Sequence, residues 1–148
     1  MKFLNVLFLS LSIMASSLAL ASDENANTAI SGYDPVAYFK QNEAVRGSGM
    51  HTAEHAGQTY LFASEENKAE FSKNPAKYAP QFGGYCAFGV SKGKKFFSDP
   101  TVFAVVNGKL YLNLNKDIQA KWNAEQAQLI KDANGEWTKI KSKKISSL

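Results

Sequence analysis

A two-residue turn between two apolar segments is the feature that most restricts how this chain can fold. Residues 102–106 are apolar, residues 109–113 have Leu110, Tyr111 and Leu112 at their centre, and Asn107-Gly108 lies between the two segments. Asn-Gly accepts the positive φ angles at both central positions of a type I′ turn, and this turn matches the twist of antiparallel strands. The sequence therefore predicts a β-hairpin over residues 102–113.

Turn and capping residues predict elements in the first half of the chain. Asp34 is a suitable N-cap and Pro35 fits the first position of a short helix. Residues 51–62 have the pattern of a second hairpin, which turns at Ala56-Gly57. Ser64 begins a further helix, because two carboxylates follow it in the first turn.

The second half predicts a flexible corner, a short helix and a long one. Gly83-Gly84 forms the corner and residues 85–90 the short helix, while an apolar stripe predicts a helix over residues 116–133 that Asn134-Gly135 closes. Strands and helices alternate without long crossovers, so we predict the α+β class. The expected architecture is a small antiparallel sheet of two hairpins, with short helices and one longer C-terminal helix packed on it, and no internal repeat.

The start of the chain has the pattern of a cleavable signal peptide. Lys2 gives a positive start, an apolar run follows, and Ala19-Leu20-Ala21 has the small-x-small form of a cleavage site. We predict a signal peptide at residues 1–21, a flexible leader at 22–28, a domain at 29–138 and a basic C-terminal tail at 139–148. The expected location is periplasmic or secreted, with cleavage after Ala21.

The formal net charge of +4 does not indicate a nucleic-acid-binding protein. The positive excess comes largely from lysines in one loop at residues 92–95 and in the tail at 139–144, a distribution typical of solvated surface segments. After the signal peptide, no window approaches the roughly 20 apolar residues that a bilayer crossing needs. We expect no stable membrane insertion, and a partner that is a small ligand, a metal ion or an exported protein.

Cys86 is the single cysteine of the chain, and in an oxidising compartment such a thiol needs an explanation. If a helix begins at Cys86, its unpaired N–H groups stabilise a thiolate, which is a nucleophile and a soft-metal ligand. If Cys86 is buried under Tyr85 and Phe88, it is a small, inert core residue. The sequence leaves both interpretations open.

The segment from His51 to His55 matches the H-x-x-E-H pattern of zinc hydrolases, with Glu54 at the acidic position. That chemistry needs a helix, whereas on a strand residues four apart lie roughly 13 Å apart. We therefore predict no hydrolase site. His55, His51 and Met50 remain candidates to assist Cys86 in holding a soft metal ion such as copper, because imidazole, thioether and thiolate suit that ion.

Aromatic residues are dense enough to suggest a pocket that stacks a ligand, although their pattern favours the core, because they alternate in the strands or lie on inner helix faces where burial alone explains them. The candidates for this ligand pocket are Tyr33, Tyr60, Tyr85 and Phe88.

Residues 51–64, together with Phe71, Asn74-Pro75 and Tyr78, resemble the YHS domain, and residues 34–36 resemble its start. The later part of the chain resembles the exported, single-domain branch of YHS proteins. YHS domains are commonly attached to heavy-metal-transporting ATPases and some oxygenases, and the resemblance implies metal-associated cysteines and a histidine.

The positions of those family cysteines hold Ala37, Ala63 and Asn67 in this chain, and His55 alone keeps the matching residue. Three functions follow as hypotheses. The first is a non-catalytic binding protein that holds a soft metal ion through Cys86. The second is a thiol-reactive redox protein, and the third is a metal-free module that binds a small ligand or a protein.

Overall fold

The computed structural model describes residues 28–148. The predicted signal peptide, and the leader up to residue 27, lie outside the described residues. Six α-helices and four strands occur in the described part, which confirms the α+β class. In chain order they are α1 (Ala37–Lys40), β1 (Ser48–His55), β2 (Gln58–Phe62), α2 (Glu65–Lys73), α3 (Pro75–Tyr78), α4 (Ala87–Ser91), β3 (Asp99–Val106), β4 (Lys109–Asn113), α5 (Lys116–Ala124) and α6 (Gln126–Ile140).

Both predicted hairpins form, but as two separate two-stranded antiparallel sheets rather than as one sheet. β1 and β2 turn at Ala56-Gly57, and β3 and β4 turn at Asn107-Gly108. The φ angles of Asn107 and Gly108 are 51° and 71°, as a type I′ turn requires.

The two hairpins belong to two units with the same element order, which we name unit one (residues 29–73) and unit two (residues 81–124). Each unit runs from a left-handed corner through a short helix, a strand of 8 residues, a strand of 5 residues and a helix of 9 residues. The strand registers correspond as well. Ser48 pairs with Phe62, and Asp99 and Asn113, which lie 51 residues further along the chain, also pair.

The expectation of no internal repeat is therefore wrong at the level of structure. The repeat is visible in the corners, in the hairpin turns and in one buried aromatic pair of each unit. Tyr60 packs against Phe71 with ring centroids 4.8 Å apart, and their counterparts Tyr111 and Trp122 pack at 5.4 Å. Each of these four residues is at most 3 % exposed.

The buried residues form two hydrophobic clusters. The first contains Tyr60, Phe62 and Phe71 of unit one, and also Leu110 and Leu112 from β4 of unit two. The second is formed within unit two and against α6, around Trp122. Unit one therefore completes its core with side chains that the second hairpin supplies.

The C-terminal helix differs from the prediction in two places. The chain breaks at Glu125, which separates α5 from α6, and α6 continues through Gly135 to Ile140. The expected end at Asn134-Gly135 is wrong because Ile140 is itself buried, at 3 % exposure. Lys95 donates hydrogen bonds to the carbonyls of Lys141 and Lys143, which satisfies carbonyl groups just beyond the helix end. Among residues 28–148, no helix is long and apolar enough to cross a membrane.

Candidate functional site

Two left-handed corners, Ala29–Gly32 and Gln81–Gly84, occupy the corresponding starts of the two units. In each corner three successive residues have positive φ, between 50° and 81°. Non-glycine residues adopt this conformation at a cost, so two such corners in one small chain are a feature that the surrounding structure must hold in place.

Each corner is followed by a tyrosine and then by a buried residue just before a short helix. In unit one this residue is Asp34, whose carboxylate accepts from the backbone N–H groups of Val36 and Ala63 and from the amide of Asn67, at 2.7–2.9 Å. In unit two it is Cys86. Cys86 is the N-cap of α4. The predicted N-cap of the first helix at Asp34 is wrong by two residues, because α1 begins at Ala37 with Val36 as its N-cap, although Oδ1 of Asp34 accepts from the N–H groups of Val36 and Ala37.

Cys86 is 1 % exposed. Its Sγ accepts from the N–H of Gly89 at 3.5 Å and lies 3.7 Å from Oδ1 of Asn113. The sulfur is enclosed at the junction of α4 and β4, and α4 is too short, at five residues, to provide a helix N-terminal site of its own.

The other predicted metal ligands are spread along the first hairpin. Nδ1 of His51 lies 3.1 Å from a carboxylate oxygen of Glu65, and this hydrogen bond lowers the pKa of Glu65. The ring of His55 packs edge-on against Phe71 at 6.0 Å, whereas Met50 is 85 % exposed. Within residues 28–148, no three His, Cys, Asp or Glu side chains come together in a group that could hold a metal ion.

A cavity of about 780 Å³ lies between the two corners. Unit one contributes its corner, the segment before β1 and part of β2, and unit two contributes its corner and the segment before β3. Its lining includes Ser31, Arg46, Gln58, Tyr85, Phe97 and Ser98. No acidic side chain lines it.

Arg46 is the single arginine of the chain and the one cationic residue of the cavity lining. Its guanidinium lies over the ring of Tyr33, 4.5 Å from the centroid, and donates to the carbonyl of Ser31 at 3.2 Å. No ion pair within residues 28–148 involves this side chain. The cation is therefore held in place by an aromatic ring and a carbonyl, with hydrogen-bond donors to spare.

Phe97 is the counterpart of Arg46 in unit two, 51 residues further along the chain. Its ring lies 6.2 Å from that of Tyr85, which is the counterpart of Tyr33. Phe97 is 74 % exposed, and Lys95 approaches the ring of Tyr85 to 5.4 Å. The two walls of the cavity are thus built alike, but at the corresponding lining position one presents the guanidinium of Arg46 and the other the ring of Phe97, while Lys95 is outside the lining.

The four residues of the predicted ligand pocket are separated in the structure. Tyr85 lines the cavity, and Tyr33 supports Arg46 behind it. Tyr60 is buried in the first core, and this burial raises its pKa to about 12. Phe88 packs against the second core, with Lys92 over its ring at 5.5 Å.

Arg46, Phe97 and Ser98 were not among the residues singled out from the sequence. Arg46 had one usable signal, since it is the only arginine in a lysine-rich chain. The hydroxyl of Ser98 donates to the carbonyl of Gly84 at 2.7 Å and so fixes the second corner. That contact had no sequence signal.

The family model of the YHS domain matches residues 39–82, which confirms the resemblance seen in the sequence. The matched segment runs from α1 to the beginning of the second corner, so most of unit one lies inside it and nearly all of unit two lies outside it. No curated protein and no solved structure matches this chain.

Proposed function

We propose that this protein is an exported, non-catalytic binding protein that holds a small molecule in the cavity between units one and two. The cavity carries the proposal. Its volume of about 780 Å³ falls in the range of small-molecule sites, and its lining combines aromatic surface with a few polar groups.

The state of the nucleophilic and basic side chains supports a role without catalysis. Cys86 is enclosed and hydrogen-bonded, and His51 is engaged by Glu65. A catalytic thiol needs access to substrate and a nearby base. Neither His51 nor His55 has a hydrogen-bond contact to Cys86 among the described residues.

Export rests on the pattern of residues 1–21 and on cleavage after Ala21. Mass spectrometry of the protein recovered from the medium or periplasm should give a mature N-terminus at Ser22. Recovery in the cytoplasm with Met1 intact would contradict this part of the proposal.

Ligand binding is tested by thermal shift with a panel of small carboxylates, amines, sugars and neutral aromatics. Ser98→Trp fills the cavity, and Ser98→Ala removes the same hydroxyl without filling it. We expect compounds that raise the Tm of the native protein and of Ser98→Ala but leave that of Ser98→Trp unchanged. A ligand present at 100 times its Kd adds about 2.7 kcal/mol to the free energy of unfolding. A panel without effect on the native protein would overturn the proposal.

A soft-metal function at Cys86 is the second candidate, and the match to the YHS domain favours it. Copper is the ion that a thiolate with imidazole or thioether help would select. Metal analysis of protein purified without oxygen, compared with Cys86→Ser, decides the question. Stoichiometric metal that the variant loses supports this function, and fast reaction of the thiol without metal supports a redox protein instead.

A further inference from the structure

We propose that the ligand of the cavity between the units carries a carboxylate, bound by Arg46, on a flat apolar body that lies against Tyr85 and Phe97. This inference rests on the proposed binding function and adds to it the chemical class of the ligand.

The charge of the cavity gives the first argument. Arg46 is its one cation, its lining has no carboxylate, and the described residues contain no ion pair to this guanidinium. One N–H group is engaged by the carbonyl of Ser31, while a guanidinium has five N–H donors. A carboxylate matches the paired donors of this fork geometrically as well as electrostatically.

The placement of the guanidinium gives the second argument. The ring of Tyr33 lies under it at 4.5 Å, and the Ser31 carbonyl belongs to the left-handed corner that also lines the cavity. An arginine held on two sides loses less side-chain entropy when it binds an anion. The site is therefore pre-organised for a negatively charged group.

The opposite wall gives the third argument. Phe97 leaves 74 % of its surface exposed, beside the ring of Tyr85. Large aromatic surface left in water beside a cavity is typical of ligand sites. A flat apolar group placed there removes this surface from water and stacks on it.

The repeat relates the two walls of the cavity to each other. Residues 46 and 97 occupy the same position of the repeat, each next to the tyrosine that follows its corner. The two halves have the same backbone plan but opposite chemistry. A molecule with a charged end and an apolar end suits both walls, whereas a cation meets Arg46 and a wholly polar molecule leaves Phe97 exposed.

Three probes of one shape test the inference: 3-phenylpropionate, 3-phenylpropanol and 3-phenylpropylamine, titrated calorimetrically into the mature protein at low salt. We expect the carboxylate to bind at least about tenfold more tightly than the alcohol, as a charge-assisted hydrogen-bonded pair predicts, and the amine to bind most weakly. Arg46→Gln should lower the affinity for the carboxylate to that for the alcohol. Arg46→Lys should retain part of the difference between the two affinities.

The aromatic wall is tested with Phe97→Ala, which should lower the affinities for the carboxylate and for the alcohol by the same factor. Lys109→Gln, which removes an exposed charge at the turn of the second hairpin, should change neither affinity. The Tm of each variant reports whether it folds, and Arg46→Lys keeps the charge if Arg46→Gln fails to fold.

Equal affinity for carboxylate and alcohol would overturn the inference, and if Ser98→Trp then abolished both, the binding function itself would stand. Tighter binding of the amine, or binding of none of the three probes, would also overturn it. The compound panel tests the binding function separately, because it includes sugars and amines that this inference excludes.

Discussion

The carboxylate of Asp34 is the most consequential single group in unit one. It is fully buried and joins the start of α1, the end of β2 and the first turn of α2 through its hydrogen bonds. A buried charge is tolerated only where such donors replace water. Lys40 donates to Oδ1 of Asn67 at 3.4 Å, and the amide of the same Asn67 donates to Asp34 at 2.7 Å.

Replacement of Asp34 by Ala should therefore destabilise the protein by about 3–5 kcal/mol, because it leaves the amide of Asn67 and two backbone N–H groups buried without an acceptor. Urea unfolding at neutral pH gives the free energy. Asp117→Asn, an exposed carboxylate in the first turn of α5, serves as the control and should change stability by less than about 1 kcal/mol. Equal effects of the two substitutions would refute the role assigned to Asp34.

Tyr60 should make the protein sensitive to alkali. Burial raises its pKa from 10.0 to about 12, so in the unfolded chain the hydroxyl ionises first. Its contribution to stability is full below pH 10 and is lost as the pH rises towards about 12. Unfolding free energies between these pH values should fall less steeply for Tyr60→Phe than for the native protein. Parallel curves for the two proteins would contradict this assignment.

The cap at Ser64 could be predicted from the sequence because capping is local: its hydroxyl accepts from the N–H of Asn67, three residues on. Asp34 likewise accepts from the nearby N–H of Val36, although α1 begins two residues later than predicted. The cavity residues could not be predicted in this way. Arg46 and Phe97 come together only through the packing of one unit on the other, and neither has a local motif. The aromatic residues that were singled out divide between cavity and core for the same reason.

At the scale of elements, the hairpin turns are the parts whose sequence requirement is sharpest. Gly57 and Gly108 have φ of 76° and 71°, and a Cβ at either position would meet no atom within 4 Å. A substitution there is resisted by backbone strain alone, without a steric clash. The same strain energy should therefore oppose a substitution at either of the two corresponding turns.

Gly57→Val and Gly108→Val should each destabilise the protein by about 1–3 kcal/mol, the cost of a β-branched residue held at positive φ. Gly49 is the matched control, since its surroundings are equally open and its φ is not positive. Gly49→Val should change the thermal midpoint little. An unchanged thermal midpoint for Gly108→Val would contradict the assignment of the turn.

The elements that could be predicted well from the sequence are those whose position is set by local turn or capping residues, such as the hairpin at Asn107-Gly108. The last helix was predicted less well. Asn134-Gly135 has the composition of a C-cap, but burial of Ile140 and the hydrogen bonds from Lys95 continue the helix past it. Tertiary packing outweighed a local signal of about 1 kcal/mol.

The whole molecule is held together by a core that crosses the repeat. Leu110 and Leu112 of unit two lie in the cluster that contains Phe62 and Phe71 of unit one. The match to the YHS domain ends at residue 82, before either leucine. The matched segment is therefore shorter than the structure that buries its aromatic residues.

Leu112→Ala should cost about 2–5 kcal/mol and should reduce hydrogen-exchange protection in α2, although the substitution lies in the other unit. Leu114→Ala is the control two residues away, at a site that is 41 % exposed, and should cost under about 1 kcal/mol. Protection of α2 that survives Leu112→Ala would show that unit one is stable without unit two.

Because the core is shared, its completion in unit one is delayed during synthesis. Phe62 leaves the ribosome 50 residues ahead of Leu112, which at roughly 5–20 residues per second corresponds to about 3–10 s. Throughout that interval Leu110 and Leu112, which share the cluster with the aromatic side chains of unit one, have not been synthesised. The first half of the chain therefore cannot complete its core until β4 has been synthesised.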